Sequence, residues 1–166
     1  MKFDPSIVQT RYESPLGPII VAATSKGLAG LWFDGQRHLP NTQDWPHEAN
    51  HPILIKAIRQ LREYFDGQRR AFDLPLDLQS GTAFQQSVWK ALLEIRSGET
   101  TSYGQLSKKI GKAAAVRAVG AAVGRNPVSV IVPCHRVLGG DGSLTGYAGG
   151  LERKTALLKL EGATLI

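Results

Sequence analysis

The chain is expected to be an α+β protein. A small N-terminal α/β domain with an antiparallel sheet should span residues 1–79, and a mostly helical C-terminal domain with a helix-turn-helix should span 80–166. Three observations predict this. Short, partly β-branched apolar runs separated by turn residues fill the first 33 positions. Apolar residues recur at helical intervals in several later segments. Charge is also partitioned. Residues 1–80 hold 9 Lys/Arg against 9 Asp/Glu, and residues 81–166 hold 11 against 5, so the second half carries the whole net charge of +6.

The elements follow in order. Residues 6–33 read as strands: Ser14-Pro15-Leu16-Gly17 is a turn, Ile19–Ala23 is apolar, and Ser25-Lys26-Gly27 turns the chain into Leu28–Phe33. Residues 34–50 are polar and broken by Gly35, Pro40 and Pro46, a loop. Leu54, Ile58, Leu61 and Phe65 make one helix face, closed by Gly67. Phe72, Leu74, Leu76 and Leu78 alternate with Asp73, Pro75 and Asp77, which predicts a strand; Pro75 has no N–H and places it at a sheet edge. Thr82 and Gln85 form a capping-box pattern at the head of a helix whose apolar face is Phe84, Val88, Leu92 and Ile95. A short helix is expected around Tyr103–Ile110, closed by Gly111, and a second from Ala113 to Val123, closed by Gly124. Six glycines lie between residues 138 and 150, and a last helix runs from Leu151 to Leu160 before Gly162.

The length of 166 residues suits one ordinary domain or two small ones. No apolar run approaches the ~20 residues of a membrane span, and the N-terminus lacks a signal-peptide pattern. A single cysteine excludes an intrachain disulfide and a cysteine-rich metal site, so an intracellular, cytoplasmic protein is expected. His38, His47 and His51 match no metal-ligand spacing and read as loop histidines; no metal and no cofactor are expected. Between Glu99 and Asp141 stand Lys108, Lys109, Lys112, Arg117, Arg125 and Arg136 with no acid among them. That is the footprint of a polyanion partner, although a solvated basic face would look the same.

The lone cysteine, Cys134, sits in Pro133-Cys134-His135-Arg136-Val137. A cysteine attacks as its thiolate, whose free pKa is about 8.5, and a neighbouring base or cation lowers that value. Taken alone, a single cysteine is more often a buried apolar residue than a nucleophile. The helix expected at 113–123 is small nearly all round, with only Arg117 long and cationic at its centre. Such a helix permits close helix packing, or equally a close, sequence-tolerant approach to DNA with one inserted Arg.

Pro133–Val137 resembles the active-site signature of the O6-alkylguanine-DNA alkyltransferases, the methylated-DNA–protein-cysteine methyltransferases. The likeness extends through Thr82–Trp89, Thr101–Leu106, Val116–Gly120, Asn126-Pro127, Thr145–Gly150 and Leu157–Gly162, so it covers about residues 82–162. The resemblance implies a protein that binds duplex DNA containing O6-alkylguanine, rotates the damaged base into a pocket, and takes the alkyl group onto its own cysteine. O4-alkylthymine is a further candidate substrate. By matching position, Cys134 is the nucleophile, His135 its base through a water, Glu161 the residue that orients His135, and Asn126 a support of the hydrogen-bonded network. DNA contacts are implied at Arg117, Tyr103, Ser102, Lys112 and Arg136. Tyr103, Val137, Tyr147, Ala148 and Gly149 are implied around the substrate.

The resemblance has departures. Some relatives carry a structural zinc or a cysteine-rich second acceptor domain, and this chain has no cysteines for either. Ala148 stands where some relatives place a pocket hydroxyl. A non-catalytic lesion-binding relative is the rival reading, and such proteins lack the acceptor cysteine that is present here. A thiol hydrolase is disfavoured, because adjacent residues rarely place thiol and imidazole face to face. One turnover per molecule is expected, since a thioether product has no second cysteine to resolve it, and a monomer in solution is expected.

Overall fold

The computed structural model describes residues 1–163, so the last three residues of the expected second domain lie outside the described part. Three antiparallel strands, β1 (Val8–Ser14), β2 (Gly17–Thr24) and β3 (Gly27–Phe33), form a sheet in the order β1-β2-β3. Both hairpins turn where the sequence placed them. Ser14 pairs with Gly17 and Thr24 with Gly27, and both glycines have positive φ (108° and 153°), as tight hairpin connections require. Helix α1 (Pro52–Phe65) packs on the sheet through Leu54, Ala57, Leu61 and Tyr64. Its cap is a histidine: His51 Nδ1 accepts from Ile53 N at 3.2 Å. The opposite face of the sheet is covered by Phe3, Leu39 and Trp45 around buried Trp32, with Phe3 edge-on to both indoles.

The predicted strand at 72–78 is corrected. The segment makes only an isolated bridge, Leu76 to Leu28. Leu28 N–H donates to Pro75 O and Asp77 N–H to Leu28 O, both at 2.8 Å. Pro75 has no N–H to continue a ladder, and its neighbours' side chains find the core from an extended loop instead. The second half contains α2 (Ala83–Leu92), β4 (Thr101–Ser102), α3 (Tyr103–Lys109), α4 (Val116–Gly124), a single 3-10 turn at Cys134–Arg136, β5 (Val137–Leu138) and α5 (Leu151–Leu160). The Thr82/Gln85 capping box is present, and Ser102/Gln105 forms a second at the head of α3. Helix α2 stops at Leu92 rather than reaching Ile95, whose N–H closes a tight turn onto Leu92 O. Helix α4 begins at Val116 rather than Ala113. No side chain caps it, and Ala115 N–H folds back onto Lys112 O at 2.8 Å.

The two halves share one interior. A single buried cluster runs from Ile19 in β2 through Tyr64 in α1 to Trp89, Val119, Cys134 and Leu157. Leu31 on β3 exchanges backbone hydrogen bonds with the segment before the cysteine: its N–H reaches Pro127 O (2.8 Å), and its O accepts from Ser129 N (3.0 Å). The fully buried Val130 just beyond has φ of +72°, costly for a β-branched residue and held only because its surroundings over-determine it. Strand β5 pairs in parallel with β4. That pairing sets the head of α3, and so Tyr103, beside the strand that follows Cys134.

Candidate active site

Cys134 lies in a one-turn helix at the wall of a cavity of about 340 Å³, also lined by Tyr103, Gly120, Tyr147, Ala148, Arg37 and His38. Beneath it, His135, Arg136 and Glu161 are buried together. His135 Nε2 lies 2.8 Å from Glu161 Oε2. Arg136 grips the same carboxylate in a fork, Nε on Oε1 at 2.8 Å and Nη2 on Oε2 at 2.9 Å, and its Nη1 donates to Ile95 O. Burial alone would raise the Glu161 carboxyl, but hydrogen bonds from His135 and Arg136 outweigh it and hold it down at about 2. Glu161 is therefore an anion and only an acceptor. It follows that Nε2 carries the imidazole proton, which leaves Nδ1 with the lone pair. That Nδ1 is buried with no protein partner among the described residues.

Helix α5 delivers Glu161 through its C-terminal geometry. Gly162 has φ of +75°, and its N–H returns to Lys159 O while Ala163 N–H returns to Leu158 O, both at 3.0 Å. This double return ends the helix with Glu161 as the capping residue, turned inward. Asn126 braces the other side. Its Nδ2 donates to Val132 O at 2.7 Å, and its Oδ1 accepts from Val128 N at 2.9 Å.

Burial pushes the Cys134 thiol up, against the opposing pull of Asn126 and of the positive charge of Lys154. Desolvation outweighs the neighbours, and the resting group is a thiol. Burial likewise lowers His135, opposed by Glu161, so the imidazole rests neutral. A neutral imidazole with Nδ1 free among the described residues, and a protonated thiol, is the resting arrangement.

The remaining expected residues separate into those the cavity gathers and those it does not. Tyr103, Tyr147 and Ala148 line it. Burial raises the Tyr103 hydroxyl, so it keeps its proton. Gly149 stands behind Tyr147 instead, where a Cβ would come within 2.7 Å of that ring. Val137 is corrected as a pocket wall: it is fully buried outside the lining, and its carbonyl accepts from Lys154 Nζ at 2.6 Å. Arg136 is corrected as a DNA contact, because its guanidinium is buried on Glu161 and Ile95. Arg117 and Lys112 are exposed, on α4 and in the turn before it. Ser102 is half-buried, and its hydroxyl caps α3 by accepting from Gln105 N at 3.1 Å.

Three contributors escaped the sequence. Arg37 and His38 reach the cavity from the 34–50 loop, where Arg37 N–H donates to Ala148 O at 3.0 Å; a φ of +61° at His38 marks the local kink. Lys154 on α5 has no exposed surface. Its ammonium donates to Val137 O and Thr145 O (2.6 Å each) and Gly146 O (3.2 Å), and burial lowers it to about 8. No local signal distinguishes it from a surface helix lysine.

The arrangement is that of a protein with one buried cysteine at the wall of a cavity, above a buried imidazole–carboxylate–guanidinium cluster and near exposed basic residues of a helix pair. Comparison with known proteins specifies it further. Residues 83–163 match the DNA-binding domain of 6-O-methylguanine DNA methyltransferase, and residues 7–78 match its ribonuclease-like domain. A methylated-DNA–protein-cysteine methyltransferase from Methanosarcina barkeri is 51% identical over 150 residues, covering 90% of this chain and 93% of the relative. The crystal structure of O6-methylguanine methyltransferase from Mycobacterium tuberculosis superimposes with a TM-score of 0.85 at 46% identity, over 94% of this chain and 93% of that one. The same organism's protein solved in complex with DNA gives a TM-score of 0.84 at 47% identity, over 92% and 91%. The chain belongs to the 6-O-methylguanine DNA methyltransferase family.

Proposed function

We propose that this protein repairs DNA by direct reversal, moving the alkyl group of O6-alkylguanine in duplex DNA onto Cys134, once per molecule and without a cofactor. One observation carries the mechanism: the buried, unpartnered Nδ1 of His135, whose other nitrogen is fixed on an anionic Glu161. A water between Nδ1 and Cys134 would relay the thiol proton to the imidazole as sulfur attacks. The Sγ–C bond forms while the C–O6 bond breaks, and the electron pair stays on the guanine oxygen. Glu161 stabilises the imidazolium formed. Tyr103, still protonated in the cavity wall, is the candidate donor to the leaving guanine. The thioether product has no leaving group, and the single cysteine leaves nothing to resolve it.

The exposed helices α3 and α4 are assigned to DNA as a helix-turn-helix, with Arg117 filling the space of the rotated base and Lys112 on phosphate. Unstacking a base costs a few kcal/mol, less for a damaged one. Among the described residues no helix is long and apolar enough to cross a membrane, and we assign the protein to the intracellular, DNA-associated pool as a monomer. Residues 1–79 are assigned as the first domain and 80–166 as the alkyl acceptor. Incubation with a duplex carrying radiolabelled O6-methylguanine tests the reading: label should move to the protein and saturate at one methyl per chain. Tight binding without transfer would establish the lesion-binding alternative.

A further inference from the structure

The activating carboxylate has a third donor, and it comes from the other half of the chain. Tyr64, in the last turn of α1, is 2% exposed, and its hydroxyl donates to Glu161 Oε2 at 2.6 Å. That bond spans 97 residues of sequence. The oxygen it reaches is the one that faces His135 Nε2 and also accepts from Arg136 Nη2. Burial, with the Glu161 charge beside it, drives the phenol far above its ordinary range, so it stays an O–H donor at every working pH. The Tyr64 ring is held independently of its hydroxyl: Phe65 and Phe72 lie against it with ring centres 5.2 and 5.3 Å away. The same region fastens the backbone of Glu161 as well, through Arg70 Nη2 to Glu161 O at 3.4 Å.

We propose that Tyr64 is a positioning residue for the alkyl-transfer chemistry, by which the N-terminal half of the chain sets the orientation and the effective charge of Glu161 toward His135. The inference rests on the thiol–imidazole–carboxylate reading above. Two effects follow from one hydrogen bond. Glu161 caps the end of α5, and the phenol fixes which way its carboxylate turns. The phenol also draws negative charge away from the edge that faces His135. The charged groups around this oxygen are Glu161 itself, Arg136 and His135 when protonated, with Arg70 on the adjacent carbonyl. None is supplied by α1, so Tyr64 is the only link from that helix to the carboxylate among the described residues.

Tyr64→Phe removes one O–H and keeps the ring in its aromatic cluster. With one donor fewer, Glu161 holds the imidazolium more strongly, and His135 becomes a better base. Cys134 should then give up its proton at lower pH. Because the chain has one cysteine, the pH dependence of iodoacetamide alkylation reports on that thiol alone. The midpoint should fall by about half a pH unit, a modest fraction of what hydrogen bonding to a charged group can shift. The alkyl-transfer rate at its high-pH plateau should fall roughly threefold or more, since orientation is loosened. Phe72→Leu is the control. It erodes the same ring cluster without touching a hydrogen bond to Glu161, so it should lower Tm and leave the thiol midpoint where it is in the wild type. An unchanged midpoint in Tyr64→Phe, or an equal shift in Phe72→Leu, would overturn the proposal. A wild-type protein that fails to accept label from O6-methylguanine would overturn the functional reading instead, and the iodoacetamide titration would still decide the role of Tyr64.

Discussion

The cavity floor and the exposed helix pair use polar groups in opposite ways. On the floor, His135, Arg136, Lys154 and Glu161 are buried; Arg136 and Glu161 share a forked ion pair, Lys154 donates to several carbonyls, and His135 is fixed through Nε2 on Glu161 with Nδ1 left free among the described residues. On α4 and in the turn that joins it to α3, Arg117 and Lys112 are exposed. Where Lys109 does find a partner, it is exposed Glu94 on the surface at 2.6 Å. A pair of that kind contributes little to stability. Buried groups fix geometry and proton affinity, which chemistry needs. Exposed cations keep their charge available for phosphate, which DNA binding needs. Changes on the floor should therefore alter reactivity wherever the substrate comes from, and changes on the helices should matter only when the substrate is in a duplex.

The largest effect belongs to the nucleophile. Cys134→Ser should abolish alkyl transfer and retain binding to duplex DNA, because a hydroxyl is nearly isosteric and far less nucleophilic. Transfer persisting in this variant, measured by label on protein, would place the acceptor elsewhere.

Glu161→Gln should slow transfer by about a hundredfold, as expected when a base loses the group that orients it and stabilises its charged form. The same carboxyl carries a stability signature. Its folded value of about 2 lies below the ordinary 4.5, so its contribution is present above pH 4.5 and is lost as pH falls toward 2. Wild-type Tm should drop across that window, and Glu161→Gln should lack that part of the drop. Parallel acid profiles would remove the carboxylate from the account.

Lys154→Met should be milder, roughly a tenfold loss of transfer, since it releases the loop around Thr145 and Gly146 that backs the cavity wall. Hydrogen exchange should speed up in residues 139–146 more than in α5. The ammonium sits at about 8, below its ordinary 10.5. The unfolded chain therefore binds more protons in that interval, and this group adds stability as pH rises from 8 to 10.5. The Met variant should lack that gain. A variant with unchanged loop exchange would make Lys154 a packing residue only.

The same contrast explains what was legible beforehand. Local signals worked where the cause is local: the Ser14–Gly17 and Ser25–Gly27 turns, the Thr82/Gln85 cap, and the stop at Gly162 all depend on residues a few positions apart. The segment Pro133–Val137 pointed to the cavity. What stayed hidden depends on distant neighbours. Arg136 reads as one more cation in a basic run, yet Glu161, 25 residues on, draws it inside. Lys154 looks like a surface helix position, and Tyr64 looks like ordinary core. Residues 72–78 alternate correctly but lack the N–H at Pro75 that a strand would need. The neighbours of Cys134 in sequence show charge and not the desolvation that raises its thiol.

The central claim, that the buried floor performs the chemistry and the exposed helix delivers the base, is tested most directly by one ratio: the rate on O6-methylguanine in duplex DNA over the rate on free O6-benzylguanine. Arg117→Ala should lower that ratio about tenfold, the scale of losing the compensation for an unstacked base. Glu161→Gln, assayed where both variants are folded, should leave the ratio at the wild-type value while lowering both rates. Equal losses on duplex and free base in Arg117→Ala would contradict the division and place Arg117 in the chemistry or the fold.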